Sequence, residues 1–312
     1  MKSGKSTLPP KKMEKTAGCC ASLRAEINPC QPWFLVMDSS GYKIDIPESF
    51  APSDRMTIIG KFIITSLALA TLILGMVATT SLRFYFAYFT NVSLLLTVVY
   101  QLLSFLNSMF PSRIQQPRER VTGMAKWTWI FFVAGVHGQF MASLLYWLTV
   151  FVPHETELTY LAIVPHGLIM FLSLIDGLVL NRIPLRLSHW WGMIFPVEVL
   201  YLIWTILHWK FDVGNPNEMD EDPETNDDAI YSVLVWGEDD WANSTKLSLL
   251  VVLVLGPLVY LYMWCISRYP FGCCTQWTRL YFLDANNKTA RSKRQAKGDV
   301  EMAGQYRLFG GN

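Results

Sequence analysis

Six separate stretches of about twenty mostly apolar residues run through this chain, each long enough to cross the hydrocarbon core of a bilayer as a helix. They cover 57–79, 84–110, 127–152, 159–180, 192–209 and 246–267. In lipid no water satisfies the backbone N–H and C=O groups, so such stretches must be helical. Pro111, Pro153, Pro184 and Pro270 fall near their ends, where a residue without an amide hydrogen stops a helix. The expected fold class is all-α, a polytopic membrane protein with six transmembrane helices. Residues 1–55 read as a largely disordered N-terminal arm, 56–268 as the transmembrane domain, and 269–312 as a basic tail. The arm carries no apolar core with a cleavage site, so the first helix is expected to act as its own insertion signal.

The charges are few and segregated. Only 16% of residues are charged, against about a quarter in soluble domains. Of the 26 Lys and Arg, 23 fall in the N-terminal arm, the connections after the second and fourth stretches, and the tail; Arg83, Lys210 and Lys246 fall on the other side. The positive-inside rule then places both termini in the cytosol. The opposite side carries the loop 211–245, with eleven carboxylates and no Lys or Arg. That loop reads as solvated or as a weak calcium site, and its spacing matches no EF-hand. A net charge of +1 gives no argument for nucleic acid. The plasma membrane and the endoplasmic reticulum fit equally well.

Other motifs are short. Asn243-Ser244-Thr245 is a glycosylation sequon on the expected outer side. Cys273 and Cys274, just past the sixth stretch on the cytosolic side, are candidates for palmitoylation. Neither a disulfide framework nor zinc-ligand spacing is visible, so no metal or other cofactor is expected. Trp127, Trp129, Trp190 and Trp191 read as one interfacial belt, and Trp204, Trp209, Trp236 and Trp241 as the other.

Polar residues inside the stretches carry the functional signal, because they are costly in lipid and usually face the bundle interior. Thr90, Ser93, Thr97, Gln101 and Ser104 recur at helical spacing on the second stretch. His166, Ser173 and Asp176 share a face of the fourth; Glu198, Tyr201, Thr205 and His208 share a face of the fifth. Ala134, Gly138 and Ala142 form a small-residue ridge on the third, with His137 beside it. Counting from Phe84 and Thr159, Thr90 and His166 would both lie ~10 Å below the outer helix ends at ~1.5 Å per residue. A hydroxyl and an imidazole at equal depth form a possible nucleophile and base. Asp176 and Glu198 are expected deeper, in a second polar layer with Gln101 and Ser104. Structural hydrogen bonding, transport and catalysis all remain compatible with this pattern. Haem ligation would need two histidines at one depth, which His137 and His166 do not offer.

Phe84-Tyr85-Phe86-Ala87-Tyr88-Phe89-Thr90-Asn91 resembles the aromatic-x-Tyr-Leu-Thr-Asn/His segment of rolling-stone-like proteins. Val164-Pro165-His166-Gly167-Leu168 resembles their His-Gly-Leu segment. Ile230-Tyr231-Ser232-Val233-Leu234-Val235-Trp236 is similar to their Ile-Tyr-Pro-Val-Leu-Asp-Trp. The resemblance implies a six-helix membrane protein of non-catalytic or undefined membrane role, in a family associated with myoblast fusion. It also implies kinship with the androgen-induced family, six-helix hydrolases of fatty-acid esters of hydroxy fatty acids. On that kinship Thr90 would be the nucleophile and a fatty-acid ester the substrate. The hydrolases' catalytic histidine is the second of their His-Gly-Met-His pattern, so His166, which matches the first, would have to stand in as base, and Asn91 or Ser93, close by in sequence, would steady the oxyanion. The second histidine of the hydrolases' His-Gly-Met-His pattern is Ile169 here. The three function classes in view are therefore a membrane protein that binds partners or lipid, an intramembrane ester hydrolase, and a transporter.

Overall fold

The computed structural model describes residues 27, 55–79, 82–110, 123–151, 158–181, 183–211, 213, 229–231, 233–237 and 240–268. Six helices in it are long and apolar enough to cross a membrane, the architecture of a multi-pass integral membrane protein. They are α1 (Arg55–Ala78), α2 (Phe89–Met109), α3 (Gly123–Val150), α4 (Tyr160–Leu180), α5 (Leu187–Lys210) and α6 (Trp241–Ser267). Large apolar side chains such as Phe62, Phe171 and Leu258 stay exposed on the outside of the bundle, where lipid would cover them.

Hydrogen bonds between polar side chains fix the alternating up-and-down order. The Thr71 and Tyr160 hydroxyls meet at 2.9 Å, joining the end of α1 to the start of α4. Asn107 donates to Thr128 at 2.7 Å, joining the end of α2 to the start of α3. The Tyr260 hydroxyl donates to the Arg186 carbonyl at 2.7 Å, joining the last turns of α6 to the connection before α5. One end of the bundle therefore carries the last turns of α1, α3 and α5 and the first turns of α2, α4 and α6, and we call it the acidic-loop end after the sequence that joins α5 to α6. The other, where α1 starts and α6 stops, is the tail end.

The middle of the bundle belongs to α3. In its most apolar window 67% of residues are buried, against 28–39% in the other five helices. Two glycines let α2 approach it. A Cβ on Gly135 would stand 2.7 Å from the Thr97 amide nitrogen, and one on Gly138 would stand 3.0 Å from Ser93 Cβ. The small-residue contact thus runs through Gly135 and Gly138, rather than the expected Ala134–Gly138–Ala142 ridge. Gly135 lies in a widened turn (Phe132–Val136) with i→i+5 hydrogen bonding, which shifts the register of the contact. Trp129, Phe132, Trp190, Tyr260 and Met263 fill the main core around α3.

Several expected positions differ. The second helix begins at Phe89, not Phe84. Leu82–Tyr85 form one separate helical turn and the chain then bends, with Tyr88 in extended conformation at the helix cap. Helix α6 begins at Trp241, so Asn243 is an exposed residue in its first turn instead of a loop residue. Trp129 and Trp190 are core residues rather than belt residues, at 1% and 6% exposed, while their neighbours Trp127 and Trp191 face outward. Residues one or two apart on a helix cannot share a face. Lys61 and Arg186, counted with the solvent-facing basic residues, are buried at 2% and 1% exposure. The N-terminal arm (apart from Ile27 and Arg55), most of the acidic loop, and the tail with Cys273 and Cys274 lie outside the described residues.

Candidate functional site

A chamber of about 720 Å³ lies at the acidic-loop end, lined by residues of all six helices, the 82–88 bend and the 230–234 segment. Its size is in the range of small-molecule sites. Leu94, Met141, Leu145, Leu202, Leu247 and Val251 supply apolar wall; Thr90, His166, Glu198, Tyr201 and Tyr231 supply polar atoms.

Thr90 owes its position to the bend before α2. The Asn91 amide donates to the Tyr85 carbonyl at 2.7 Å and closes that bend. The Tyr85 ring packs back on α1, where only glycine fits: a Cβ on Gly75 would lie 2.6 Å from the phenol oxygen. Burial pushes the Tyr85 phenol up to about 12. A helix start leaves amide hydrogens without intrahelical partners, and Tyr88 supplies no side-chain cap. The Tyr231 hydroxyl does so instead, accepting from the Phe89 amide at 2.9 Å. The same phenol lies beside Thr90 and the Tyr201 hydroxyl, and burial raises its pKa so that it stays protonated. Tyr201 in turn donates to the Ala87 carbonyl at 2.8 Å. Thr90 therefore belongs to a hydroxyl cluster with Tyr201 and Tyr231.

His166 comes from a widened turn of α4, Val164–Leu168. Pro165 lacks an amide hydrogen and favours such an irregularity. The carbonyls of this turn are taken by α3: Gln139 donates to the Pro165 carbonyl, and Trp147 donates to the His166 carbonyl at 2.6 Å. The imidazole stacks on Tyr146, centroids 3.7 Å apart and planes 8° apart. Its Nδ1 is buried with no hydrogen-bond partner.

Among the described residues no hydrogen bond joins Thr90 to His166. Thr90 is the second residue of α2 and His166 the seventh of α4, so equal counting from helix ends does not hold. They share the chamber wall because of how the helices end, not because of equal depth. Asn91 is committed to the Tyr85 carbonyl, and Ser93 to the Thr90 carbonyl (2.9 Å) and Gln139 (3.2 Å). Both side chains thus take part in hydrogen bonds that shape the start of α2 and its contact with α3.

Glu198, near the middle of α5, lines the chamber and is 7% exposed. One carboxylate oxygen lies 3.1 Å from His137 Nε2; the other, and His137 Nδ1, have no partner. Gly256 makes room for it, since a Cβ there would stand 2.8 and 2.9 Å from the two carboxylate oxygens.

Glu198 thus does not join Asp176 in one layer. Asp176 forms a separate cluster toward the tail end. Its Oδ2 accepts from Tyr100 (2.6 Å), Ser104 (2.8 Å) and Asn181 (3.1 Å). Lys61 Nζ stands 3.8 Å from Oδ1 and donates to Ser104 at 3.0 Å and to Asn181. Gln101 donates to Ser173 at 2.9 Å, next to this cluster.

Sequence reasoning missed Lys61, Asn181, Tyr100, Gln139 and Tyr146 as interior polar or site groups. It also gave Tyr231 no role. The signal for Tyr231 was an apolar run, 229–236, inside an otherwise acidic loop: Ala229 and Ile230 are each 5% exposed and must find cover. Among the described residues no group of three or more His, Cys, Asp or Glu could hold a metal ion. Searches against family models, curated proteins and solved structures find no match to this chain.

Proposed function

We propose that this chain is a multi-pass membrane protein that holds an amphipathic acyl lipid inside its bundle. The observation that carries the reading is the 720 Å³ chamber, whose largely apolar wall is interrupted by the Thr90–Tyr201–Tyr231 hydroxyl cluster and His166. Apolar wall takes a chain, and convergent hydroxyls orient an ester or alcohol head. The resemblance to rolling-stone-like proteins and the asymmetry of Lys and Arg support a six-helix protein with both termini in the cytosol.

The test is binding of a fluorescent acyl ester to the purified full-length protein. Saturable binding is expected, and Leu202→Trp, which intrudes on the chamber, should weaken it. Binding by the wild type that is unsaturable, or unchanged in Leu202→Trp, would overturn the reading.

A second reading, hydrolysis of a fatty-acid ester, is favoured by one observation: the Thr90 hydroxyl and an imidazole with a vacant nitrogen share the chamber. Thr90 Oγ would attack the ester carbonyl while His166 takes its proton and returns it to the departing alcohol; water would then release the acid from the acyl-threonine. The Thr90 hydroxyl lies beside Tyr231, and this step requires it to face His166. Labelling by a fluorophosphonate that disappears in Thr90→Ala is the expected result of this reading. Absence of labelling leaves lipid binding without hydrolysis.

A further inference from the structure

The chamber that we read as a lipid site also has a charge character, and that character narrows the lipid. None of the described side chains lining it is Lys or Arg. The one carboxylate among its described lining residues, Glu198, is nine-tenths buried and has an oxygen without a donor. The basic groups nearby are His137, already on Glu198, and His166, stacked on Tyr146. A buried anion is tolerated only beside a compensating charge or several donors. A ligand bringing a carboxylate or phosphate would meet Glu198 without a Lys or Arg to offset it. A ligand bringing a hydroxyl would meet an acceptor that lacks a partner.

Glu198 and Tyr201 are three residues apart on α5, so their side chains lie on one face, about 5 Å apart along the axis. A head with an ester oxygen at the hydroxyl cluster and a free hydroxyl toward Glu198 would use both points. We infer that the chamber selects uncharged, hydroxyl-bearing acyl lipids, that is, acylated polyols, over anionic ones, and that Glu198 is the residue that discriminates. Gly256 is part of the device, because its missing Cβ leaves the carboxylate its space. This inference rests on the lipid-site reading above.

The test uses the full-length protein in detergent and three probes with one acyl chain: a monoacylglycerol, the methyl ester and the free fatty acid. Each competes with a photoactivatable analogue of the methyl ester. The monoacylglycerol is expected to bind about tenfold more tightly than the methyl ester, the effect of one hydrogen bond to a charged group. The free acid is expected to bind about tenfold more weakly than the methyl ester at pH 8. Glu198→Gln should bring the acid within about threefold of the ester, a gain that simple loss of packing cannot produce. Gly256→Ala, which crowds the carboxylate without removing it, should reduce the monoacylglycerol advantage. A wild-type protein that binds the free acid as well as the monoacylglycerol overturns the inference and leaves the lipid site standing. So does a Glu198→Gln variant that weakens all three probes alike. If no probe competes with the wild type, the lipid-site reading fails and this inference with it. The wild-type ranking decides the matter even where a variant does not fold.

Discussion

At the tail end Asp176 Oδ2 receives three hydrogen bonds and Lys61 stands 3.8 Å from Oδ1, which accepts none, while at the acidic-loop end His166, Glu198 and His137 each keep an atom without a partner and no Lys among the described residues stands beside Glu198. Both sets are buried in the same bundle. Buried polar groups in folded proteins are nearly always paired, so a carboxylate held by three donors and a nearby cation has an explanation within the fold, and partnerless groups beside a chamber are placed to meet a ligand. The position of each set agrees with this division. The Asp176 cluster is enclosed by packed helices; the unpaired set lies on or next to the wall of a 720 Å³ chamber. Two polar regions of similar composition thus divide between holding the helices together and meeting something else.

The comparison breaks most easily at Lys61. Lys61→Met leaves Asp176 as an uncompensated buried carboxylate and should cost about 3–5 kcal/mol of stability, read as a large drop in melting temperature in detergent. The double variant Lys61→Met/Asp176→Leu should recover most of that loss, since paired charges can be exchanged for apolar groups at little cost. A double variant as unstable as the single would mean that the cluster does more than balance charge.

Next in size is Gly177→Ala. The added Cβ would sit 1.9 Å from the Phe132 ring, which packs on Tyr100 at 5.0 Å between centroids. Overpacking of this kind costs about 2 kcal/mol. The ring displacement should reach Asp176 through Tyr100, so the loss should be smaller in an Asp176→Leu background.

At the chamber the opposite pattern is expected. His166→Ala removes a ring with a vacant nitrogen, and the change in stability should stay near or below about 1 kcal/mol. Binding of an acyl probe should fall about tenfold. A His166→Ala protein that loses stability but binds normally would assign the residue to packing against Tyr146 and end the contrast between the two regions.

The smallest effect is on pH. Burial raises the Tyr85 phenol to about 12, so below pH 10 it is neutral in both folded and unfolded chains. Between pH 10 and about 12 the unfolded chain ionises while the folded one resists, and the stability contributed by burying Tyr85 is lost across that window. Tyr85→Phe should flatten the pH dependence of melting there and leave pH 7–9 unchanged.

How much of this was legible in the residues depends on how local the cause was. The six spans follow from run length, and their identity needed no tertiary information. The break at Phe86–Tyr88 could not be read from hydropathy, because Phe84 to Phe89 are as apolar as a helix requires. It is set by Asn91 closing on Tyr85 and by Gly75 admitting the Tyr85 ring from another helix. Thr90 and His166 were visible as polar residues in apolar runs. Their actual neighbours, Tyr231 and Tyr146, come from elsewhere in the chain, and even the apolar run around Tyr231 does not say which helix it meets. Lys61 was misassigned for a related reason: near a helix end a lysine reads as a loop charge, and only the position of Asp176 across the bundle shows otherwise.

The central claim is that the chamber, unlike the Asp176 cluster, is built to receive a lipid. Photo-crosslinking of an acyl ester to the full-length protein, with the labelled peptides mapped by mass spectrometry, tests it most directly. The account expects saturable labelling of chamber-wall residues such as Leu94, Met141 and Leu202, lost on adding unlabelled monoacylglycerol. Labelling confined to outward-facing residues such as Phe62, Phe171 and Leu258, and indifferent to competitor, would contradict it.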